Sequence, residues 1–306
     1  MAALREPTPG PEAAPRPLVA ADDAAPRRSL FWRRFRRDRL AMAGLGMLTL
    51  LYLMAIFAPV ISGHVDPNKL NLLDALQGPS AAHIMGTDEY GRDIWARIVY
   101  GARISLSVGL ISVSIALTIG IAIGSLAGYF GGFVDALLMR FTDAVLAFPI
   151  LFILITVVAV VGPSLFNIFA VIGLTAWPGI ARLVRGQFLS LRERDFVESA
   201  RAAGARPWRV IFRHILPNAV APVIVAATLG VAGAMLFEAA LDFLGVGLQP
   251  PTATWGTILN AGQGYVLAGD WWFTFFPGLF LVLAILSINA IGDGLQEAFN
   301  PRALRR

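Results

Sequence analysis

Five long stretches without a charged residue dominate the hydrophobic pattern of this chain: Leu40–Ile61, Ile104–Val134, Ala144–Ala181, Ile215–Phe237 and Trp271–Gly292. An α-helix needs about 20 consecutive apolar residues to cross a bilayer. The third stretch is about twice that length and carries Gly162-Pro163-Ser164 near its middle, where glycine and proline favour a turn. We therefore predict an all-α membrane protein with six transmembrane helices, at about residues 40–61, 104–128, 141–161, 165–186, 215–240 and 271–292.

Composition favours membrane spans over the alternative of a buried soluble core. Hydrophobic residues make up 57% of the 306 residues and charged residues only 15%, which is far too apolar for an ordinary soluble domain. Residues 1–30 are different: they are rich in proline, alanine and acidic residues, so we expect a disordered cytoplasmic tail there. A cleaved signal peptide is not expected. Residues 31–306 are expected to form one transmembrane domain.

The placement of arginine orients the predicted spans. Seven arginines lie just before the first span and eight lie between Arg182 and Arg213, whereas no lysine or arginine occurs between His214 and Arg302. Cytoplasmic connections carry the excess of positive charge. We therefore expect both termini and the connection at 187–214 to be cytoplasmic, and the connection at 62–103 to be periplasmic. Attraction to anionic lipid headgroups explains the basic residues better than nucleic-acid binding, because they border apolar spans.

The cytoplasmic connection before span five has a sequence typical of two short helices joined by a hinge. Asp195 followed by Glu198 fits an N-cap with its capping-box partner. Gly204 suits a left-handed C-cap position, and Pro207 suits the first turn of a second helix. On these grounds alone, the pair of helices either docks on a partner protein or lies on the lipid headgroups.

The same connection resembles the cytoplasmic coupling loop of ABC-transporter permeases. The family pattern is Glu-Ala-Ala, three residues, Gly, nine residues, then Ile-x-Leu-Pro, and here Ser199 replaces the first alanine and His214 the isoleucine. In such permeases this loop docks on the ATP-hydrolysing subunit, so the resemblance implies that the coupling residues are Glu198, Ser199, Ala200, Arg201, Gly204, Arg206, Leu216 and Pro217. Arg201 and Arg206 are expected to pair with acids on that subunit.

Further segments resemble one subfamily, the second (C-type) membrane subunit of dipeptide, oligopeptide and nickel importers. One is the periplasmic motif Gly-Thr-Asp-x-x-Gly-Arg-Asp, formed by Gly86, Thr87, Asp88, Gly91, Arg92 and Asp93. The others follow Glu238 at the end of span five and Ile291 near the C-terminus. The resemblance implies the type I ABC importer permease fold. It also implies four partners: a second permease in a heterodimer, two ATP-binding subunits, and a periplasmic or lipid-anchored substrate-binding protein.

Two acids in span five, Glu238 and Asp242, lie four residues apart on one helix face near its outer end. Ionisable groups at membrane depth are costly and usually face a cavity or a partner. One interpretation is that they line the pathway or its outer gate and favour cationic or zwitterionic cargo. The alternative is that they lie among the outer headgroups or cap local backbone.

Three further expectations concern packing and charge. Glycines at 120, 124 and 128 line one face of span two, which favours close helix packing or dimerisation over simple glycine enrichment. Arg140 and Asp143, three residues apart, are expected to form an interfacial ion pair. The acids of the periplasmic motif (Asp88, Glu89 and Asp93) are expected to be solvated.

No catalytic or metal-binding pattern is visible. A phosphate-binding loop needs Gly-x-x-x-x-Gly-Lys, but the single lysine, Lys69, has no such glycines. The three histidines have no ligand spacing, and cysteine is absent. We therefore expect no enzymatic activity and no bound cofactor in this chain, with ATP and magnesium used by partner ATPase subunits.

These observations and the resemblance together predict a permease subunit of a binding-protein-dependent ABC importer. It would form half of the pathway for di- or oligopeptides across the inner membrane and work by alternating access. An importer of the same type for nickel or another small solute is the alternative. A self-sufficient secondary transporter or channel, or a membrane-embedded enzyme, would need a buried relay acid, inverted repeats or a catalytic cluster, and none is visible.

Overall fold

A computed structural model describes residues 27–299, with side chains from residue 31 onward. Its helices are α1 (Arg27–Phe35), α2 (Arg39–Ile56), α3 (Ala58–Ile61), α4 (Ile94–Phe130), α5 (Gly132–Leu146), α6 (Ile150–Val161), α7 (Leu165–Leu191), α8 (Asp195–Ala202), α9 (Pro207–Arg209), α10 (Leu216–Phe243), α11 (Trp255–Gly262) and α12 (Trp272–Phe299). Most of the predicted N-terminal tail lies outside the described residues, although α1 begins inside it, at Arg27.

The long helices account for the predicted spans. Helices α2, α4, α7 and α12, and the rod that runs from α9 through α10, are each long and apolar enough to cross a membrane. Helices α5 and α6 meet at an angle of 81° and make a sixth span only if both arms are counted together. The predicted all-α membrane fold is therefore confirmed. Several helices exceed the expected spans: α4 begins at Ile94 and α12 continues to Phe299.

The third span is bent because proline interrupts it. Pro149 occupies the N-cap of α6, and a residue that precedes proline is disfavoured in helical conformation. Phe148 therefore cannot easily continue the helix, so α5 ends at Leu146 and α6 starts in a different direction.

Two ion pairs hold α5 against α7. Arg185 forms two hydrogen bonds with the Asp135 carboxylate, of 2.5 and 2.7 Å. Arg182 donates to Asp143 at 2.5 Å. The predicted pair between Arg140 and Asp143 is therefore wrong: α7 passes alongside α5, and Asp143 pairs with an arginine of that helix instead.

The glycine face of α4 packs against α7 within the chain. A side-chain carbon added to Gly124 would lie 2.4 Å from the carbonyl oxygen of Ala181. One added to Gly120 or Gly128 would lie 2.7 Å or less from Ile180 or Phe188. Small residues let membrane helices approach closely enough for extensive van der Waals contact. The glycine ridge, defined as Gly120, Gly124 and Gly128, is thus a packing face between two helices of one subunit.

A second buried core lies at the other end of α4, where α2, α10, α11 and α12 converge. Trp255, at the start of α11, is fully buried there, and its indole nitrogen donates to the carbonyl of Ile98 at 3.1 Å. Its backbone N–H donates to the hydroxyl of Ser105 at 3.2 Å. These bonds fix the loop between α10 and α12 against α4.

The glycine ridge generates a stability prediction. Gly124→Ala should destabilise the protein by about 1–3 kcal/mol, because the added methyl group overpacks the contact with α7. Gly186→Ala in α7 is the matched control, since no atom lies within 4 Å of its added carbon. Thermal unfolding of the purified variants in detergent measures both. Equal stability of the two variants would contradict the tight α4–α7 contact.

Candidate functional site

The connection between α7 and α10 presents its predicted docking residues to the outside of the subunit. Most of these residues, namely Glu198, Ser199, Arg201, Gly204 and Arg206, are exposed, and Ala200 is half-buried. We call this set of six the coupling surface. Arg201 also lies over the ring of Tyr129, 5.2 Å from its centroid, so that α8 contacts the end of α4.

The end of α8 is shaped by Gly204. Its φ is +77°, in the left-handed region that favours glycine. The N–H of Gly204 donates to the carbonyl of Arg201 at 2.9 Å, and that of Ala205 to the carbonyl of Ala200 at 3.1 Å. This pair of bonds is the Schellman motif. The predicted glycine C-cap is therefore confirmed.

The beginning of α8 differs from the prediction. Asp195 is the first helical residue, and the N-cap is Arg194, which forms no side-chain capping bond. The predicted capping box of Asp195 with Glu198 is wrong. Both acids instead lie in the first turn, where a negative charge is favoured by the helix dipole. The side chain of Glu198 is exposed and forms no hydrogen bond or ion pair with the residues that the structure describes.

An apolar seam holds the coupling surface against the membrane helices. Val197 of α8 is fully buried, as are Val210, Ile211 and Ile215. They join one hydrophobic cluster with Phe188 near the end of α7. The exposed side of α8 is therefore supported from behind by closely packed side chains and not by a flexible hinge.

Helix α9 continues into α10 without a break. Pro207 begins it, as predicted, and a π-helical segment, Val210–Ile215, connects it to Leu216 and Pro217 at the start of α10. The resulting rod extends from the coupling surface to Phe243 at the other end of span five. π-Helical turns are rare and often lie at functional sites. The sequence carried no signal for this one.

At the far end of the rod, Asp242 holds the loop that follows α10. Its carboxylate accepts hydrogen bonds from the backbone N–H of Leu248 at 2.6 Å and from the hydroxyl of Thr254 at 2.5 Å. Thr254 also caps α11 by accepting from Thr257 N–H at 3.0 Å. Asp242 is buried, and a side-chain carbon on Gly247 would collide with it. Asp242 thus ties α10 to α11.

Glu238 lies one turn earlier and is completely buried. Neither of its carboxylate oxygens forms a hydrogen bond within the described part of the chain. Ser105, Asp242 and Thr254 are the polar groups that face it. Both acids are therefore interior in this conformation. For Asp242, that arrangement favours the interpretation that it binds local backbone.

The motif between Gly86 and Asp93 builds a buried ion cluster. The Asp88 carboxylate accepts from the N–H groups of Tyr90 and Arg92, each at 2.9 Å, and from the Arg92 guanidinium at 2.6 Å. Arg97 of α4 approaches the same carboxylate at 3.6 Å. Asp88, Arg92 and Arg97 are at most 5% exposed. The expectation of solvated acids is wrong for Asp88, because the loop folds back over the start of α4.

The remaining motif residues each fix part of this loop. Gly91 has φ +70°, and an added side-chain carbon would lie 1.7 Å from the carbonyl oxygen of Asn71. Asp93 caps α4 by accepting from Ala96 N–H at 2.8 Å, and its other oxygen lies 2.9 Å from the His83 ring. Gly86 also has positive φ, and the hydroxyl of Thr87 donates to the carbonyl of Asp74.

Glu89, beside this cluster, is a half-buried acid. Desolvation raises the pKa of its carboxyl above the ordinary value, and the charge of Asp88 acts in the same direction. A hydrogen bond from its own backbone and the charges of Arg92 and Arg97 oppose that rise. The loop therefore balances two acids against two arginines away from water.

Sequence reasoning missed Arg97 and Thr254. Arg97 follows the motif within the predicted connection at 62–103, whereas α4 already begins at Ile94. Thr254 and Thr257 have the spacing of a capping pair ahead of an apolar run, which was the available signal. In the part of the chain that the structure describes, no three histidine, aspartate or glutamate side chains are placed to share a metal ion.

Two family models match the chain. The model of the binding-protein-dependent transport system inner membrane component matches residues 120–305, and the N-terminal transmembrane domain of oligopeptide transport permease C matches residues 27–79. The chain therefore belongs to the family of binding-protein-dependent transport system inner membrane components. The predicted ABC importer permease is confirmed, and the comparisons give no support to a self-sufficient secondary transporter.

Curated relatives match over nearly the whole chain. The chain is 44% identical to the dipeptide transport system permease protein DppC of Alkalihalophilus pseudofirmus, over 96% of each chain. It is 42% identical to DppC of Bacillus subtilis, over 90% of this chain and 85% of the relative. It is 41% identical to the di/tripeptide transport system permease protein DppC of Pseudomonas aeruginosa, over 89% and 91%.

A solved structure shares the fold. An inward-facing structure of the MetNI methionine ABC transporter superposes with a TM-score of 0.53 at 22% identity, over 70% of this chain and 98% of the other. At that identity the likeness concerns the fold alone. It agrees with the type I importer architecture that the resemblance implied.

Asp242 generates the second prediction. Asp242→Ala should destabilise the protein by about 1–3 kcal/mol for each of the two buried donors left unpaired. Asp242→Asn is the matched control, because its amide can still accept from Leu248 and donate to Thr254. Thermal unfolding in detergent compares them. A stable alanine variant, or an asparagine variant as unstable as alanine, would contradict the proposed tie between α10 and α11.

Proposed function

We propose that this chain forms half of the translocation pathway of an ABC importer that carries di- or oligopeptides across the bacterial inner membrane. The observation that carries the proposal is the coupling surface, which is exposed, ends in the Gly204 turn and continues into a transmembrane rod. The peptide class rests on the names of the relatives, which are dipeptide and di/tripeptide permeases.

The energy for transport comes from other polypeptides in this proposal. The chain has one lysine and no Gly-x-x-x-x-Gly-Lys sequence with which to bind nucleotide phosphates. Two ATP-binding subunits use ATP and magnesium, and this chain acts as a permease without an ATPase site of its own. The matching family is described as dependent on a binding protein. This description supports a set of four partners: a second permease, two ATP-binding subunits and a substrate-binding protein.

Coupling begins at α8. Glu198 and Arg206 are exposed and charged, so they suit charge-assisted contacts with an ATPase cleft. Ser199 and Ala200 are small and permit close approach of that partner. When the paired ATPases close, the movement of α8 passes through the buried valine and isoleucine seam into the α9–α10 rod. Leu216 and Pro217 lie at the point where this rod enters the membrane helix.

The movement then reaches the outer gate. Asp242 ties the end of the rod to α11, and Glu238 lies beside that tie. We assign both acids to the support of the outer gate, where a shift of α10 is converted into a shift of the α11 loop. Alternating access follows when a partner permease makes the same movement on the other side of the pathway.

The assembly and orientation follow from surfaces and charge. Large apolar side chains of α5 and α6, among them Phe133, Phe152 and Val160, are strongly exposed in the isolated subunit. Such a face suits lipid or a second permease, and we propose a heterodimer. The positive-inside rule places both termini and the coupling surface in the cytoplasm. The loop shaped by Gly86–Asp93 then faces the periplasmic or lipid-anchored binding protein.

The coupling surface generates the third prediction. Glu198→Lys should weaken binding of the ATPase subunits roughly 30-fold, because it replaces the acid of the proposed charge-assisted contact with a repelling charge. Glu193→Lys is the matched control, because it reverses an exposed charge of the same connection outside the coupling surface. The affinity of the reconstituted permease for the ATPase subunits measures both.

Substitutions at Gly204 test the same surface independently. Gly204→Asn retains a residue that tolerates the left-handed conformation and should preserve binding. Gly204→Pro cannot adopt a positive φ and should abolish it. Unchanged ATPase binding and transport in both Glu198→Lys and Gly204→Pro would contradict the proposal that the coupling surface docks on the ATPase subunits.

The substrate class is tested by uptake. Proteoliposomes that contain the complete importer and its binding protein should accumulate labelled dipeptides against a gradient only when ATP is supplied to the ATPase side. Uptake of nickel without uptake of peptides would replace the proposed cargo with the alternative. Accumulation by this chain alone would reject the ABC mechanism.

A further inference from the structure

Glu238 of α10 is a buried acid without a partner in the described part of the chain. Its side chain is completely buried, and neither carboxylate oxygen accepts a hydrogen bond there. A buried carboxylate is strongly unfavourable unless donors or a cation compensate its charge. An ionised Glu238 would therefore need a neutralising partner.

The surroundings of Glu238 supply no positive charge. The groups that face it are Ser105 of α4, Asp242 one turn later in α10, and Thr254 ahead of α11. Helices α10, α11 and α12 contain no lysine or arginine. Arg103 of α4 donates to two carbonyl groups at the end of α2. Among the residues that the structure describes, the side chains facing Glu238 are thus a second acid and two hydroxyls.

Asp242 differs from Glu238 because it has the donors that a carboxylate needs. One of its oxygens accepts from the N–H of Leu248 at 2.6 Å, and the other accepts from the hydroxyl of Thr254 at 2.5 Å. Two buried acids one helical turn apart oppose each other's charge. The distribution of donors therefore suits a charged Asp242 and a neutral Glu238.

A metal ion fits this group of side chains less well than a proton does. Calcium and magnesium take about six or more oxygen ligands. Both Asp242 oxygens already accept hydrogen bonds, and the Ser105 hydroxyl already accepts from the N–H of Trp255 at 3.2 Å. A proton needs a single acceptor, which the Asp242 carboxylate supplies.

We propose that Glu238 is a proton-binding site, which holds a proton and donates it in a hydrogen bond to the Asp242 carboxylate. As carboxylates the two acids can only accept, whereas one proton joins them. The carboxyl O–H becomes the third donor to Asp242, beside Leu248 and Thr254. Glu238 is then a positioning residue that acts through Asp242 on the tie between α10 and α11. The proton site depends neither on the cargo nor on the partners of the proposed function.

Infrared spectroscopy of the full chain, purified with its partner subunits in lipid nanodiscs at neutral pH, tests the protonation. Protonated carboxyl groups have a C=O stretching band that carboxylates lack. Glu238→Gln should remove one such band, and isotopic labelling of the glutamate carboxyl carbon should shift that band in the unmodified protein. Glu193→Gln is the matched control, because it removes an exposed acid and should leave the band unchanged.

Two spectroscopic results would overturn the proposal. If Glu238→Gln removes only carboxylate bands, Glu238 is ionised. If the carboxyl band persists in Glu238→Gln and disappears in Asp242→Asn, the proton belongs to Asp242 instead.

Thermal unfolding tests the hydrogen bond independently. Glu238→Gln retains an N–H donor and should melt close to the unmodified protein, whereas Glu238→Met has a similar length without a donor and should melt about 2–4 °C lower. Equal melting of the two variants, or a glutamine variant that does not fold, would contradict donation to Asp242. A melting temperature that falls on removal of sodium or addition of a chelator, in the unmodified protein but not in Glu238→Gln, would assign the site to a metal ion.

Discussion

The close contact between α4 and α7 is the constraint on which the rest of the subunit depends. Inside a membrane, the hydrophobic effect does not drive helices together, so van der Waals contact between smooth faces must supply much of the association. Gly120, Gly124 and Gly128 provide such a face, and α7 lies directly against it. One partner, α4, begins at the outer ion cluster, and the other, α7, leads into the coupling surface. Contact at the glycine ridge therefore connects the helix that begins at the ion cluster with the helix that leads into the coupling surface.

Buried polar groups perform a different task at the outer end, where they set the paths of loops. The Asp88 carboxylate is contacted by two arginines and two backbone N–H groups. The Asp242 carboxylate accepts hydrogen bonds from a threonine hydroxyl and from one backbone N–H. A buried carboxylate whose partners are in place specifies one arrangement, because every alternative leaves a group unsatisfied. The outer loops are therefore well defined although they contain little regular structure.

The end that carries the coupling surface is built in the opposite way. Its buried side chains are aliphatic, its charges are exposed, and its turn is made by backbone hydrogen bonds around Gly204. This arrangement leaves the coupling surface open to a partner while the seam beneath it stays rigid.

The sequence by itself determined the features that depend on local physics. A bilayer excludes charge, so uncharged runs revealed the spans, and a left-handed turn favours glycine, so Gly204 revealed the end of α8. Tertiary structure alone decided that Asp143 pairs with Arg182, that Asp88 is buried, and that Asp242 binds Thr254. The reason is that these side chains find partners on other helices and loops, which only the packing of the whole chain brings within reach.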